Sequence, residues 1–431
     1  MSTTTTPTST AAKVAPGAAD VPTQVPIGIP APGETVPMES PTGRPDRASR
    51  SFFRQAIIDT WSRPAAKAGL LWIIVVVFLA VLAPFIANTH PILMKTADGK
   101  VSSPLLRYLT PSDVLLLVAA GTCAFLLTTR RMNFGPSLLA LLVVLAAAAP
   151  LAFWLVRPPV TAWYEGYRAR EASGEIAWAK RTLIPYSPLD RNRDAPAGEH
   201  PAHPSARHWV GTEQNGADML SQMIHASRIA LSIGFVSTGI AVLIGITIGG
   251  LMGYSAGLVD LLGMRLIEIF EALPRLLLLL AVAALVSKNL YVLMAVIGLT
   301  GWTGNARFIR AEFLKLRKQD FVQAAIASGL PLRSILFRHM LPNGIAPVLI
   351  TSSFGVASAI LLESTLSFLG LGDPDQPSWG QLLNQARSGG AGFHWWIAVF
   401  PGLAIFLTVF SYNLIGEAIR DAIDPKLRKR D

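Results

Sequence analysis

The chain has 431 residues, of which 51% are hydrophobic and only 15% charged, with a formal net charge of +10 and one cysteine. A soluble protein of this length keeps polar faces on its helices; the long apolar runs here mostly lack them, which argues against an ordinary soluble fold. A lone cysteine excludes an intramolecular disulfide. The basic residues crowd the ends of apolar runs, with six Lys/Arg between Arg44 and Lys67, seven between Arg307 and Arg338, and four after Pro425. The segment 158–228 instead carries eight of each sign. That distribution follows the positive-inside rule and argues against a nucleic-acid partner.

Residues 1–50 are rich in Thr, Pro, Ala and Gly and are predicted to form a disordered cytoplasmic tail. The first sixty residues lack the apolar core of a secretory signal, so the first span is expected to remain as an anchor. Segment 51–90 carries that span at about 70–87. Segment 91–157 holds an extra hairpin, with spans at about 113–129 and 136–156 around the cytoplasmic turn Arg130-Arg131-Met132-Asn133. Cys123 lies inside the first of these and is expected to be a small buried thiol.

Segment 158–228 is predicted to be a polar external insert. Trp154, Trp163, Tyr164 and Tyr167 flank its start as an interfacial aromatic belt. His200, His203 and His208 share its loop. Imidazoles suit nickel or zinc, but no carboxylate or thiol joins them at a recognisable ligand spacing, and no metal site is assigned.

A core of 229–418 follows, with spans at about 229–253, 265–286, 289–307, 345–369 and 395–416 and a polar loop at 308–343. Eight spans of near-membrane length, an even number, put both termini and that loop on the cytoplasmic side, ending in the basic tail 419–431. Gly245, Gly249 and Gly253 form a small-residue stripe that lets another helix approach closely, as static packing or as the sliding surface of a gate. Pro274 and Arg275 interrupt the fifth span, after Glu268 and Glu271, which either serve a gate or are solvated at the span's end. Glu363, beside Ser364, is costly at bilayer depth. It either lines a translocation pathway or is a packing carboxylate satisfied by a neighbouring Ser or backbone group.

The loop is the most specific feature. Gln323-Ala324-Ala325-Ile326-Ala327-Ser328-Gly329 is followed nine residues later by His339-Met340-Leu341-Pro342. Gly329 suits the left-handed end of a helix, Pro331 the first position of a second one, and Pro342 its close. This pattern resembles the EAA loop through which the permease subunits of binding-protein-dependent ABC importers contact their ATPases. Gln323 stands where that family usually has Glu. His208, Gly211-Thr212-Glu213, Gly216 and Asp218 extend the likeness. So do Leu366–Gly372, Pro377–Gly380, Pro401–Thr408 and Arg420–Pro425. Together they resemble the second membrane subunit of the dipeptide/oligopeptide (peptide/nickel) transport family. The resemblance covers about 207–427 well and 50–90 loosely. Residues 91–206 have no counterpart in the usual six-span subunit, and Ala217 and Gln222 replace arginines common in the family.

The resemblance implies an all-α polytopic bundle of the type I importer kind in a bacterial-type inner membrane. It also implies a second permease subunit, two ATPase domains at the coupling loop and an external solute-binding protein. Gln323, Ala324, Ala325, Gly329, His339, Leu341 and Pro342 become the ATPase-coupling residues, with Ala324 and Ala325 forming a flat packing face. The chain has no phosphate-cradling Gly-x4-Gly-Lys-Ser/Thr loop and no catalytic constellation. ATP and Mg are therefore expected to be used by partner subunits, and this chain to bind no cofactor. Its cargo is expected to be peptides or related solutes, with nickel complexes as the variant. An ion-coupled carrier using Glu363, or a scaffold without transport, are the readings from other classes.

Overall fold

The computed structural model describes residues 63–128, 134–159, 166–191, 201–285, 288–388 and 393–423. The predicted tail 1–50, the turn 130–133, Trp163, Tyr164, His200 and the basic end 424–431 lie outside them.

Among the described residues, five helical runs are long and apolar enough to cross a bilayer, and three shorter apolar helices lie at the positions of the other three expected spans. Helix α1 (Pro64–Ile86) opens with Pro64 at its first position, where the missing N–H costs nothing. The hairpin follows as α3 (Pro111–Thr128) and α4 (Phe134–Leu155), after a short α2 (Pro104–Arg107). Outside the spans the chain is not purely helical. Strands β1 (Leu93–Thr96), β2 (Val101–Ser102) and β3 (Ile176–Lys180) form an antiparallel sheet in the order β2-β1-β3. Gly99, at φ 79°, makes the β1–β2 turn possible. A short α5 (Gly166–Ala172) precedes β3.

Helix α6 (Met219–Ser255) has 37 residues and begins ten residues earlier than the span expected from 229, inside the predicted insert. The cause is local. The Asp218 carboxylate accepts the Ser221 N–H at 2.8 Å and caps the helix, while Met219 buries against Leu382, Trp396 and Ile397. The fifth span is two pieces, α7 (Gly257–Ala272) and α8 (Arg275–Leu285), broken at Leu273-Pro274. The sixth, α9 (Leu290–Thr300) and α10 (Trp302–Leu316), is jointed at Gly301 and runs nine residues past the expected end. Two further spans, α14 (Ala346–Phe368) and α16 (Trp395–Ile423), flank a short α15 (Trp379–Ser388).

Helix α6 is the axis of the bundle and packs on α1, α9, α10 and α14, while α16 lies against α1 and α14. Ile73, Ala230, Ile360 and Tyr412 join four of these helices in one core cluster. Close approach of α1 to α16 is allowed by Gly69, where a Cβ would stand 3.0 Å from the Ser411 carbonyl. The Trp72 indole then donates to Thr408 Oγ1 at 3.0 Å.

The hairpin is peripheral, and α3 touches the rest through α1. Arg228 of α6 fastens it by pairing with the buried Asp113 at the start of α3, and its Nε donates to the Ala80 carbonyl at 2.6 Å. Cys123 is exposed on the surface of α3 rather than buried, because the hairpin meets the bundle along one edge only. Trp154 is exposed at the end of α4, while Tyr167 instead meets the His90 ring edge-on at 5.3 Å. His90 also stacks on Tyr108 at 3.8 Å, and burial lowers its pKa to about 4.

Candidate coupling site

The polar loop folds as two short helices packed under α10. Helix α11 (Asp320–Ala327) starts after Gln319 with Asp320 in its first turn, a favourable place for a negative charge. It ends in a Schellman motif. Gly329 N–H bonds the Ile326 carbonyl at 3.0 Å, Leu330 N–H bonds that of Ala325 at 3.3 Å, and Gly329 takes φ 71°.

Pro331 is the residue before the second helix rather than its first residue. Its extended ψ of 148° lets its carbonyl receive the N–H groups of Ser334 and Ile335. Nor does Pro342 close that helix. The chain runs on through α12 (Leu332–Ser334), a π-helical turn (Ile335–Met340) and α13 (Leu341–Gly344). A proline has no N–H and crowds the carbonyl four residues back. The widened turn makes room for it, with Leu341 N–H reaching back to Leu336. The Asn343 side chain donates to the His339 carbonyl at 2.7 Å.

The coupling residues predicted from sequence come together here, with divided roles. Ala325 faces inward, in a core of Ile309, Phe313, Val322, Ile335, Met340 and Val348. Ala324 and Gln323 face outward, so the two alanines do not make one flat face. The Gln323 amide donates to the Arg317 carbonyl at 2.7 Å, closing α11 over the end of α10. His339 and Leu341 are half-buried and Pro342 is exposed.

Sequence reasoning missed the surrounding apolar surface. Phe321 (41% exposed), Ile326, Leu330, Leu332 and Phe337 (49%) all present large side chains outward from this short segment. Their clustering around a capped helix end was the available signal.

The glycine stripe is the seat of α10. A Cβ on Gly245 would stand 2.5 Å from that of Asn305, one on Gly253 would stand 2.6 Å from the Arg310 carbonyl, and Gly249 meets the backbone of Ala306. The small residues thus bring two backbones together. Asp260 of α7 holds Arg310 of α10 by a two-pronged pair, with one contact at 2.6 Å.

Other predicted residues lie elsewhere. Glu363 is 2% exposed and accepts from Ser367 Oγ at 2.7 Å, within the packing of α14. Ser364 is buried and meets the backbone of Gly380. Glu268 pairs with Arg265 and Glu271 with Arg307. His203 lies against Trp396 at 4.4 Å between ring centres, and His208 Nδ1 is 2.9 Å from Asp218, so these two serve different contacts. Among the described residues no cluster of His, Cys, Asp or Glu is arranged to hold a metal.

With this geometry in view, comparison with known proteins is direct. Residues 245–429 match the family model for the binding-protein-dependent transport system inner membrane component. The dipeptide transport system permease protein DppC of Bacillus subtilis is 36% identical over 227 residues, 52% of this chain and 71% of its own. The oligopeptide transport system permease protein OppC of Haemophilus influenzae is 38% identical over 222 residues, 51% of this chain and 71% of its own. The inner membrane ABC transporter permease protein YejE of Escherichia coli is 33% identical over 357 residues, 82% of this chain and 92% of its own. That last alignment leaves less than a fifth of the chain outside it. The chain belongs to the permeases of binding-protein-dependent peptide ABC importers, as a multi-pass membrane subunit and not an enzyme.

Proposed function

We propose that this subunit imports peptides or closely related small solutes, paired in the membrane with a second permease chain. Two ATPase domains dock on the outward face of 320–344 and use ATP and Mg. A solute-binding protein delivers cargo from the other side. Both termini and the coupling segment are cytoplasmic in this arrangement, as the basic flanks of the spans favour.

The exposed apolar group around Gly329 carries the reading. Five large apolar side chains on one short polar-flanked segment mark an interaction surface. The glycine-seated α10 behind them supplies the stiffness needed for coupling. ATP-driven closure of the ATPase pair would then bias the spans between inward-open and outward-open states. The names of the relatives favour peptide cargo. Glu363, satisfied within its own helix by Ser367, gives the ion-coupled alternative no support.

The test is affinity capture of the tagged chain in mild detergent, with assay of ATPase activity. Recovery of a second permease and ATPase chains, lost on Gly329→Val, supports the proposal. A chain that purifies alone and moves solute in proteoliposomes without ATP would overturn it.

A further inference from the structure

Helices α6, α8, α9, α10 and α14 line a half-open pocket of about 260 Å³. Its wall carries Thr238, Arg275, Asn305, Thr351 and Ser358. Thr238 and Ser358 sit near the middles of α6 and α14.

Arg275 opens α8 directly after the Leu273-Pro274 break. Its Nη2 donates to the Ile297 carbonyl at 3.1 Å. That acceptor is freed by the α9–α10 joint, because the Gly301 N–H goes to Gly298 instead. One carbonyl does not satisfy a guanidinium with five N–H groups, and the buried Nε has no hydrogen-bond partner.

No carboxylate among the described residues pairs with Arg275. On the adjoining helices Asp260 is taken by Arg310, Glu268 by Arg265, Glu271 by Arg307 and Glu312 by Lys315, while Glu363 of α14 is held by the Ser367 hydroxyl and by no cation. Thr238, more than nine-tenths buried in the same wall, also has an unpartnered hydroxyl. A cation held among spans without a counter-charge is costly. Beside a free hydroxyl it is suited to an anionic group that arrives and leaves.

We propose that this cavity is a subsite for the carboxylate of a transiting solute, with Arg275 supplying the charge and Thr238 a hydrogen bond. The proposal rests on the importer reading and narrows it to cargo bearing a carboxylate, such as a peptide C-terminus. The volume holds a terminal residue and not a whole oligopeptide.

The test uses the complete transporter in membrane vesicles. Cys123→Ser removes the only native thiol of this chain and Ser358→Cys places one in the cavity wall. Its modification by an anionic and by a cationic methanethiosulfonate is followed by mass spectrometry. The anionic reagent should react faster by on the order of tenfold. Arg275→Gln should abolish that preference and Arg275→Lys keep most of it. Millimolar trialanine should slow the reaction, and trialanine amide should not.

A thiol that does not react, a preference indifferent to Arg275, or equal protection by both peptides would overturn the subsite. ATPase capture tests the importer reading separately. Protection by trialanine alone in a chain that captures no ATPase would keep the subsite and remove the importer.

Discussion

The side-chain amide of Gln323 donates to the backbone carbonyl of Arg317, locking the coupling helix against the end of the span that carries it. The contact requires a donor. An ionised glutamate, which the resemblance to the EAA loop implies at this position, has none.

Gln323→Glu should therefore loosen α11. Losing one neutral hydrogen bond costs about 1 kcal/mol, or roughly a fivefold gain in local opening. Hydrogen exchange of the α11 amides in the assembled transporter measures it, and unchanged exchange would show the bond to be idle.

Gly329→Ala meets no steric obstacle, since nothing lies within 4 Å of the added Cβ, yet the backbone there has φ 71°. The expected cost is about 1 kcal/mol of left-handed strain. It should fall on transport and ATPase capture while leaving membrane insertion intact. Equal loss of insertion would mean that Gly329 serves folding and not docking.

Gly249→Leu should be severe, because the side chain must enter the backbone of Ala306. We expect a loss of about 2–3 kcal/mol in detergent stability together with loss of transport. Gly239→Ala on the same helix has open space and should be neutral or slightly stabilising. Thermal melting of the two variants separates the packing stripe from an ordinary helix glycine.

Asp113→Ala leaves Arg228 buried beside a single carbonyl. Breaking such a pair typically costs about 3 kcal/mol or more, and the hairpin should detach from α1 before the bundle melts. The double variant with Arg228→Met should recover much of the loss. Failure of that rescue in a melting experiment would rule out the clamp.

The segment around His90 should weaken in acid. His90 is neutral in the fold down to about pH 4, whereas an unfolded histidine protonates near 6.5. Between these values the unfolded state binds more protons, so the stability His90 contributes is full above pH 6.5 and is lost as pH falls toward 4. His90→Phe, which keeps the stack on Tyr108, should flatten that dependence in a pH series of melting curves.

Much of this was legible in the chain itself. The apolar runs, their basic flanks and the spacing from Gln323 to Pro342 define a membrane bundle with one punctuated polar segment, because transfer into lipid and helix punctuation are local properties. Gly329 was readable as a helix end because only a residue without a Cβ takes its φ cheaply.

Contacts between distant segments were not legible. Whether Ala325 turns inward while Ala324 turns outward, or whether Glu363 finds Ser367 or a pathway, depends on how helices rotate against each other, which single-chain patterns do not record. The π-turn under Pro342 arises from a clash that appears only once the helix continues past it. Arg275 reads as a charge beside a kink; only the fold gathers α6, α8, α10 and α14 around it and assigns the nearby acids to other cations. The sequence determined what must enter the membrane and where its helices start and stop. Tertiary packing decided which polar groups were left without partners, because hydrogen-bond and charge satisfaction are settled between helices and not within them.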